Sequence, residues 1–240
     1  MSDFPTDGFR DGRNIRDGYY RGVGLEHGTL CEQIYSDQDY QHAVSFATGR
    51  AIATPNRLLN LFLLVKYYLP KLPFGHIIEF GAYKGGSAFF MAALAKRLLP
   101  PVQVYSLDTF EGMPPTDTNL DAHGTGDFAD ASLEEIQSAK EQYGLDNVHF
   151  IKGLFEQSAP SVLREAERIA LVHIDCDIYS SVKYAYEIVK PHMVSRGYIV
   201  FDDSTTSTCI GATEAVERFV IHRDGLLSEQ IFPHHVFRAP

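Results

Sequence analysis

The 240-residue sequence contains no tryptophan, only three cysteines, and fewer basic than acidic residues. Lys and Arg together number 21 against 31 Asp and Glu, which gives a formal net charge of -10 at pH 7. An acidic surface repels phosphate backbones and anionic membranes, so nucleic acid is not expected as a partner. Cys31, Cys176 and Cys209 are odd in number and widely spaced, which favours reduced thiols over a disulfide framework.

The sequence also lacks a long apolar run and a secretory leader. The apolar stretch from Leu58 to Leu69 is interrupted by Asn60 and Lys66, and it is shorter than the ~20 residues that cross a bilayer. The N-terminal MSDFPTDGFRDGR has no apolar signal-peptide core. We therefore expect a cytoplasmic protein that is not associated with membranes. The hydrophobic content of 45% is typical of a folded globular protein.

The residues that are present divide the chain into two parts. Residues 1–53 are polar and contain repeated Asp-Gly pairs, which favour turns, so we predict an N-terminal arm or lid with short helical pieces. Aromatic side chains in this arm gain by packing on another surface, so a homo-oligomer, a dimer or higher, is expected. Thr54 and Pro55 are typical of a helix start, and residues 54–240 are predicted to form one domain.

Short β-rich runs alternate with helical stretches after Phe74. This alternation predicts parallel strands joined by crossover helices, over residues 76–81, 102–108, 148–153, 170–175 and 198–202. A capping box from Ser132 to Glu135 opens one of the helices. Two more runs, 230–232 and 236–238, predict an antiparallel hairpin at the sheet edge. We therefore expect an α/β fold with a Rossmann-like sheet of seven strands.

The first predicted strand runs into a glycine-rich turn, EFGAYKGGS, between Glu79 and Ser87. Glycines at such a turn let the backbone approach a ligand closely, and the following helix offers free N–H groups. Tyr83 stands where a dinucleotide fingerprint requires glycine, which weakens a pyrophosphate site. Glu79 is suited to an ammonium group, and Asp108, at the end of the second strand, to ribose hydroxyls. Together these residues indicate S-adenosylmethionine as the cofactor.

Acidic residues stand at the ends of two further predicted strands. Asp175 and Asp177 end the fourth strand, and Asp202 and Asp203 end the fifth. Neighbouring parallel strands open onto one crevice, so these four carboxylates are expected to converge and to require a cation. Mg²⁺ prefers oxygen ligands, and Asp175, Asp202 and Asp203 are its predicted ligands. If the extended geometry persists past Cys176, Asp175 and Asp177 face one side, where one binds the ion and the other accepts a proton.

Two histidines bear on the same region. His173 lies within the apolar run of the fourth strand and is predicted to be a core residue rather than a catalyst. His123 lies on the long connection between Phe110 and Ser132, and such a loop is typical of a segment that closes over a site. His123 is therefore a secondary acid/base candidate.

Five ordered motifs resemble the macrocin O-methyltransferase family: FGAYKGGS, LDTFEGMP, KGLFEQSAP, HIDCDIYSS and FDDS. The resemblance runs from about Thr54 to the C-terminus. It implies a class I methyltransferase fold, S-adenosylmethionine as the methyl donor, and a requirement for Mg²⁺. It also implies methylation of a hydroxyl on a sugar of a natural product, as in antibiotic biosynthesis. The partner would then be a small-molecule glycoside or sugar acceptor.

The resemblance also implies roles for individual positions. Asp175, Asp202 and Asp203 would hold the metal, and the catalytic residues would be Asp177, as the base, and Asp175. Catechol-type relatives place a lysine three residues after the first metal aspartate, and this chain has Ile178 there, so the catechol mechanism is not supported. The expected cofactor contacts are Thr54, Arg57, Glu79, Gly81, Ala82, Tyr83, Ser87, Asp108, Thr109, Phe110, Gly153, Phe155 and Asp175.

Other functions stay open at this point. A nucleotide-sugar or NAD-dependent oxidoreductase can be built on a similar sheet, and a non-catalytic binding protein can keep such a fold. Methylation of a hydroxyl that is not on a sugar is a further alternative. Binding of S-adenosylmethionine with and without Mg²⁺ separates these classes, whereas the acceptor itself cannot be read from the motifs.

Overall fold

The computed structural model describes residues 33–240. Predictions made for residues 1–32, including Cys31 and most of the N-terminal arm, lie outside the described residues. Residues His42–Pro240 form one compact unit, and the domain boundary between residues 53 and 54 stays a prediction. Within residues 33–240, no helix combines the length and the apolar character that crossing a bilayer requires.

Strands and helices alternate along the described chain. The strands are β1 His76–Phe80, β2 Val104–Asp108, β3 Val148–Lys152, β4 Ile169–Ile174, β5 Met193–Phe201 and β6 His235–Arg238. The α-helices are α1 Gln38–Ala47, α2 Pro55–Leu63, α3 Gly86–Leu98, α4 Leu133–Tyr143, α5 Phe155–Ala166, α6 Tyr179–Val189 and α7 Ile210–Ala215. Helix α2 continues as a π-helical turn, Leu64–Tyr68, and a 3₁₀ turn, Leu69–Lys71, while α7 continues as a π-helical segment, Val216–Arg223.

The strands form a single sheet in the order β3-β2-β1-β4-β5-β6. The first five strands are parallel, and β6 pairs with β5 in the antiparallel direction. Helices cover both faces. Helices α2 and α3 pack on one face, while α5, α6 and α7 enclose a core with Phe80, Leu107 and Phe201 on the other. The predicted α/β sheet with parallel strands and an antiparallel edge is confirmed.

The expected number of seven strands was wrong, because the described residues contain six. Residues 230–232 read as a strand in the sequence, but Gln230 makes only one isolated bridge, to Val236. Ile231 and Phe232 are 72% and 49% exposed, so the run buries no apolar face. Pro233, which follows, has no N–H to continue a ladder.

Two predicted helix starts are confirmed. Helix α2 begins at Pro55 after an extended Thr54, where the missing proline N–H costs nothing. Helix α4 begins after Ser132, whose Oγ accepts a hydrogen bond from the Glu135 N–H at 3.3 Å. The helical segment that begins with α2 ends near a proline, because Pro70 lies in its final 3₁₀ turn.

Asp224 joins α6 to the segment after α7, and its carboxylate accepts hydrogen bonds from the Tyr186 hydroxyl and from Lys190 and Arg223. The bonds from Arg223, together with those from Lys190 and Tyr186, hold the pKa of Asp224 well below its usual value. Because the folded-state pKa is lowered, this stabilisation is present above about pH 4 and is lost as pH falls further.

Asp224→Asn is therefore expected to destabilise the fold by about 1–2 kcal/mol at pH 7, or roughly 2–8 °C in melting temperature. The difference from wild type should shrink toward pH 3. Thermal unfolding at several pH values measures it. The control is Asp146→Asn, since Asp146 pairs with Lys96 but its side chain is 85% exposed, and such pairs contribute little. A difference that stays constant down to pH 3 would contradict the assignment.

Candidate active site

The strand order creates a crevice where β1 and β4 lie side by side. The chain proceeds from β1 toward β2 in one direction and from β4 toward β5 in the other. Ligands of open α/β sheets bind outside the carboxyl ends of the strands at such a point. A cavity of about 400 Å³ opens there. This cavity is the candidate active site.

Most of the predicted site residues line this cavity. They are Arg57, Gly81, Ala82, Tyr83, Ser87, Asp108, Thr109, Phe155, Asp175, Asp177, Asp202 and Asp203. Four predicted cofactor residues are not part of its lining: Thr54, Glu79, Phe110 and Gly153. The structure therefore brings the two acidic pairs together with the glycine turn, and the role of each residue toward a cofactor stays a prediction.

The carboxylate of Asp108 holds the glycine turn in place. Its Oδ2 accepts hydrogen bonds from the N–H groups of Ala82 and Tyr83, each at 2.8 Å. Its Oδ1 accepts one from the Phe110 N–H at 2.8 Å. Gly81 has φ +99°, and its N–H donates to the Leu107 carbonyl at 2.9 Å. The residue predicted to bind ribose hydroxyls thus also fixes the shape of the turn.

Glu79 lies inside the sheet and is fully buried. The strand register places it between Ser106 of β2 and His173 of β4. Its carboxylate accepts a hydrogen bond from Ser106 Oγ at 2.5 Å and lies 3.0 Å from His173 Nδ1. Both partners come from the sheet itself, and the predicted role toward an ammonium group stays a prediction.

His173 is a buried core residue, as the sequence predicts. Its Nε2 lies 3.3 Å from Asp202 Oδ1, while its Nδ1 faces Glu79. Burial lowers the pKa of His173, but the hydrogen bonds to Asp202 and Glu79 outweigh burial and raise the pKa to about 9. Both ring nitrogens therefore face carboxylates, an arrangement that favours the protonated ring.

The three predicted metal ligands lie close together. Oxygen atoms of Asp175, Asp202 and Asp203 are within 4.8 Å of one another. Burial and the neighbouring carboxylates raise the pKa of Asp175 well above its usual value, and burial with repulsion from Asp177 and Asp202 raises the pKa of Asp203 to about 7. Hard oxygen donors whose ionised forms are disfavoured fit Mg²⁺, since a divalent cation relieves that repulsion.

Asp202 differs from its neighbours. Burial raises its pKa, but the hydrogen bonds from His173 and His234 outweigh burial and lower the pKa well below the usual value. Arg57 adds a further charge, because its Nη1 contacts Asp202 Oδ2 and lies 3.6 Å from Asp203 Oδ1. The second nitrogen, Nη2, donates to Thr206 Oγ1 at 2.7 Å.

Asp177 reaches the cavity by a different backbone path from the one expected. Strand β4 ends at Ile174, and Asp177 has φ +57°, so strand alternation does not continue to this residue. Cys209 Sγ donates to Asp177 Oδ1 at 3.4 Å, and His123 Nε2 lies 3.7 Å from the same oxygen. Burial raises the pKa of Asp177, partly offset by His123. A carboxylate with a raised pKa is a stronger base at neutral pH.

The profile of the macrocin-O-methyltransferase (TylF) family matches residues 47–226 of this chain. The chain belongs to this family. A relative from Streptomyces olivaceus, named as the 4'-O-methyltransferase of 8-demethyl-8-(2,3-dimethoxy-alpha-L-rhamnosyl)-tetracenomycin-C, is 30% identical over 163 residues. The match covers 64% of this chain and 62% of that relative. The demethyldecarbamoylnovobiocin O-methyltransferase of Streptomyces niveus is 23% identical over 155 residues, covering 60% and 58% of the two chains.

The chain thus spans about three fifths of the length of these two relatives. Solved structures share its fold. The O-methyltransferase NovP superposes with a TM-score of 0.67 at 20% identity, covering 88% of this chain and 94% of NovP. The calicheamicin methyltransferase CalS11 superposes with a TM-score of 0.61 at 20% identity, covering 96% and 98%. These likenesses establish a class I methyltransferase fold for this family member.

Sequence reasoning missed His234, which completes the surroundings of Asp202 in this macrocin-family protein. His234 Nε2 lies 2.6 Å from Asp202 Oδ1, and its Nδ1 lies 2.6 Å from Asn60 Nδ2. An amide nitrogen only donates, so His234 Nδ1 accepts and its Nε2–H donates to Asp202. Burial lowers the pKa of His234, which agrees with a neutral ring. A signal was available, because the start of an antiparallel edge strand lies beside the end of β5.

Proposed function

We propose that this chain is a Mg²⁺-dependent O-methyltransferase that transfers a methyl group from S-adenosylmethionine to a hydroxyl of a glycosyl group on a natural product. The observation that carries the proposal is the convergence of Asp175, Asp177, Asp202 and Asp203 at one cavity beside the glycine turn, in a member of this family. The name of the 30% identical relative, which refers to a rhamnosyl tetracenomycin, supports a sugar acceptor.

The cavity provides two regions for the two substrates. The glycine turn and Asp108 line one side, where the backbone can approach a ligand closely and a carboxylate suits the ribose of a nucleoside. The four aspartates line the side formed by the ends of β4 and β5, where the acceptor hydroxyl would lie. An acceptor held between them would present its oxygen to the methyl carbon, and such positioning accounts for much of the rate in a transfer of this kind.

We assign Asp177 as the base that accepts the proton of the acceptor hydroxyl. As the acceptor oxygen forms its bond to the methyl carbon, the carbon–sulfur bond breaks, and the hydroxyl proton passes to the Asp177 carboxylate. The products are a methyl ether and S-adenosylhomocysteine. His123 and Cys209 both contact Asp177 Oδ1 and so help to orient this carboxylate.

Asp175, Asp202 and Asp203 would hold Mg²⁺. When bound, the ion would increase the acidity of an acceptor hydroxyl and offset the negative charge of the aspartates at the ends of β4 and β5. The chain's own contribution is to keep Asp202 ionised through His173 and His234 and to keep the three carboxylates within reach of one ion.

We expect methyl transfer from S-adenosylmethionine to a rhamnoside with vicinal hydroxyls, detected as a gain of one methylene mass in the glycoside. The purified full chain should lose transfer in EDTA and regain it with excess Mg²⁺. Asp203→Asn should stay inactive at the same Mg²⁺ concentration, whereas the exposed control Asp146→Asn should behave as wild type. Full transfer in EDTA would reject the metal requirement. Oxidation of a reduced nicotinamide cofactor without methyl transfer would favour the oxidoreductase alternative.

A further inference from the structure

The protein itself places a positively charged side chain, Arg57, beside the aspartates that line the cavity. Arg57 Nη1 contacts Asp202 Oδ2 and lies 3.6 Å from Asp203 Oδ1. These oxygens belong to two of the three residues that would hold the divalent ion. The guanidinium is therefore bound to carboxylates that the proposed Mg²⁺ site requires.

The two oxygens of Asp202 are not equivalent. Oδ1 accepts from His173 Nε2 and His234 Nε2, and both histidines are fully buried. Only Oδ2 is left for another cation, and Oδ2 is the atom that Arg57 contacts. An ion coordinated by Asp202 would therefore bind the same oxygen as the Arg57 guanidinium, and two cations at one oxygen repel each other.

Two features hold Arg57 in contact with Asp202: its place on a helix and a second hydrogen bond. Arg57 lies in the first turn of α2, two residues after the helix-starting Pro55, so its position is set by a helix of the fold. Its Nη2 donates to Thr206 Oγ1 at 2.7 Å, in the loop that follows β5. The side chain is 19% exposed, so water screens the contact only in part.

We propose that Arg57 is an internal counter-cation of the metal site, which neutralises Asp202 and Asp203 in the ion-free protein and must leave Asp202 Oδ2 before the ion binds. The inference rests on the proposed function, because it takes the divalent-ion site as Asp175, Asp202 and Asp203. It assigns Arg57 a role in setting ion affinity, and it links the position of α2 to the occupancy of the site.

The test measures binding of Mn²⁺ to the full chain by the loss of its free electron paramagnetic resonance signal, with Mg²⁺ as competitor. Arg57→Gln removes the competing charge, so we expect its Mn²⁺ dissociation constant to fall about tenfold or more below that of wild type. Arg57→Lys keeps the positive charge but loses the two-pronged guanidinium. Its Mn²⁺ dissociation constant should therefore lie between those of wild type and Arg57→Gln.

A matched control separates this competition from a general change of charge. Arg50 lines the same cavity, but its guanidinium lies over the rings of Phe89 and Tyr143, at 5.7 and 5.9 Å. Arg50→Gln should leave the Mn²⁺ dissociation constant within about twofold of wild type. Thr206→Val frees Arg57 Nη2 without changing charge and should tighten Mn²⁺ binding about threefold, so it serves as the test if Arg57→Gln does not fold.

The outcomes distinguish this inference from the function on which it rests. Tighter binding in Arg57→Gln and Thr206→Val, with Arg50→Gln unchanged, supports competition by Arg57. Equal or weaker binding in folded Arg57→Gln overturns the inference and leaves the metal site in place. If neither wild type nor any variant binds Mn²⁺, the metal site of the proposed function fails, and the inference fails with it.

Discussion

Gly81→Ala is expected to lower the free energy of unfolding by roughly 3–5 kcal/mol and to remove the cavity from the surviving folded protein. Gly81 follows β1 with φ +99°, a conformation that strains any residue with a side chain. A Cβ at this position would overlap the Asp175 carbonyl oxygen and lie 2.7 Å from the carbonyl carbon. The peptide after β4 must then move, and Asp175 moves with it. A loss of this size is a large fraction of the net stability of a domain.

Gly126→Ala is the control for this change. Gly126 has φ +90°, close to that of Gly81, but a Cβ there would meet no atom within 4 Å. It should cost about 1–2 kcal/mol from backbone strain alone. Urea unfolding of both variants gives the two values, and binding of S-adenosylmethionine by calorimetry reports the cavity. If the two variants lose the same free energy of unfolding, the overlap of the new Cβ with Asp175 adds nothing to the cost of a side chain at Gly81.

Asp177→Asn is expected to lower kcat by about 10²- to 10⁴-fold, the usual contribution of a positioned base. The amide has nearly the same shape as the carboxylate, so the Michaelis constants for S-adenosylmethionine and the acceptor should change little. The Asp177 N–H would still reach Asp203 Oδ2, 3.3 Å away. Steady-state kinetics with calorimetric titration of each ligand separates a loss of turnover from a loss of binding.

Asp130→Asn provides the comparison for Asp177→Asn. Asp130 lies on the long loop after β2, where its carboxylate pairs with Lys84 Nζ at 2.6 Å and is 62% exposed. This change should leave kcat within about twofold of wild type. A kcat for Asp177→Asn that is also within a few-fold of wild type would remove Asp177 from the role of base.

Local patterns were sufficient to predict the parallel sheet. Apolar runs such as 170–175 mark buried strands, and the helices between them require right-handed parallel crossovers. The same kind of pattern was misleading at residues 230–232. Ile231 and Phe232 have the composition of a strand, but pairing depends on N–H groups and on a partner surface, which a single run of residues does not reveal.

The candidate site could be predicted only where its residues lie at strand ends. Asp175, Asp202 and Asp203 were predicted together because the ends of parallel strands meet. The contact between Arg57 and Asp202 joins residues 145 positions apart, and the burial of Glu79 against His173 depends on strand register. Neither contact produces a periodic pattern in the sequence, so the pairing of Arg57 with Asp202 and that of Glu79 with His173 could not be derived from it.

The antiparallel pairing of β6 with β5 has a consequence for how the protein is made. His234, which directly precedes β6, donates to Asp202, although it follows Asp202 by 32 residues in the chain. During translation, domains fold from the N-terminal side as the chain emerges. β1 to β5 can therefore pair on the ribosome while Asp202 still lacks one of its two histidines. His234 and β6 are thus synthesised after the strands that precede them, so a chain released before His234 would have the five parallel strands without the second histidine of Asp202.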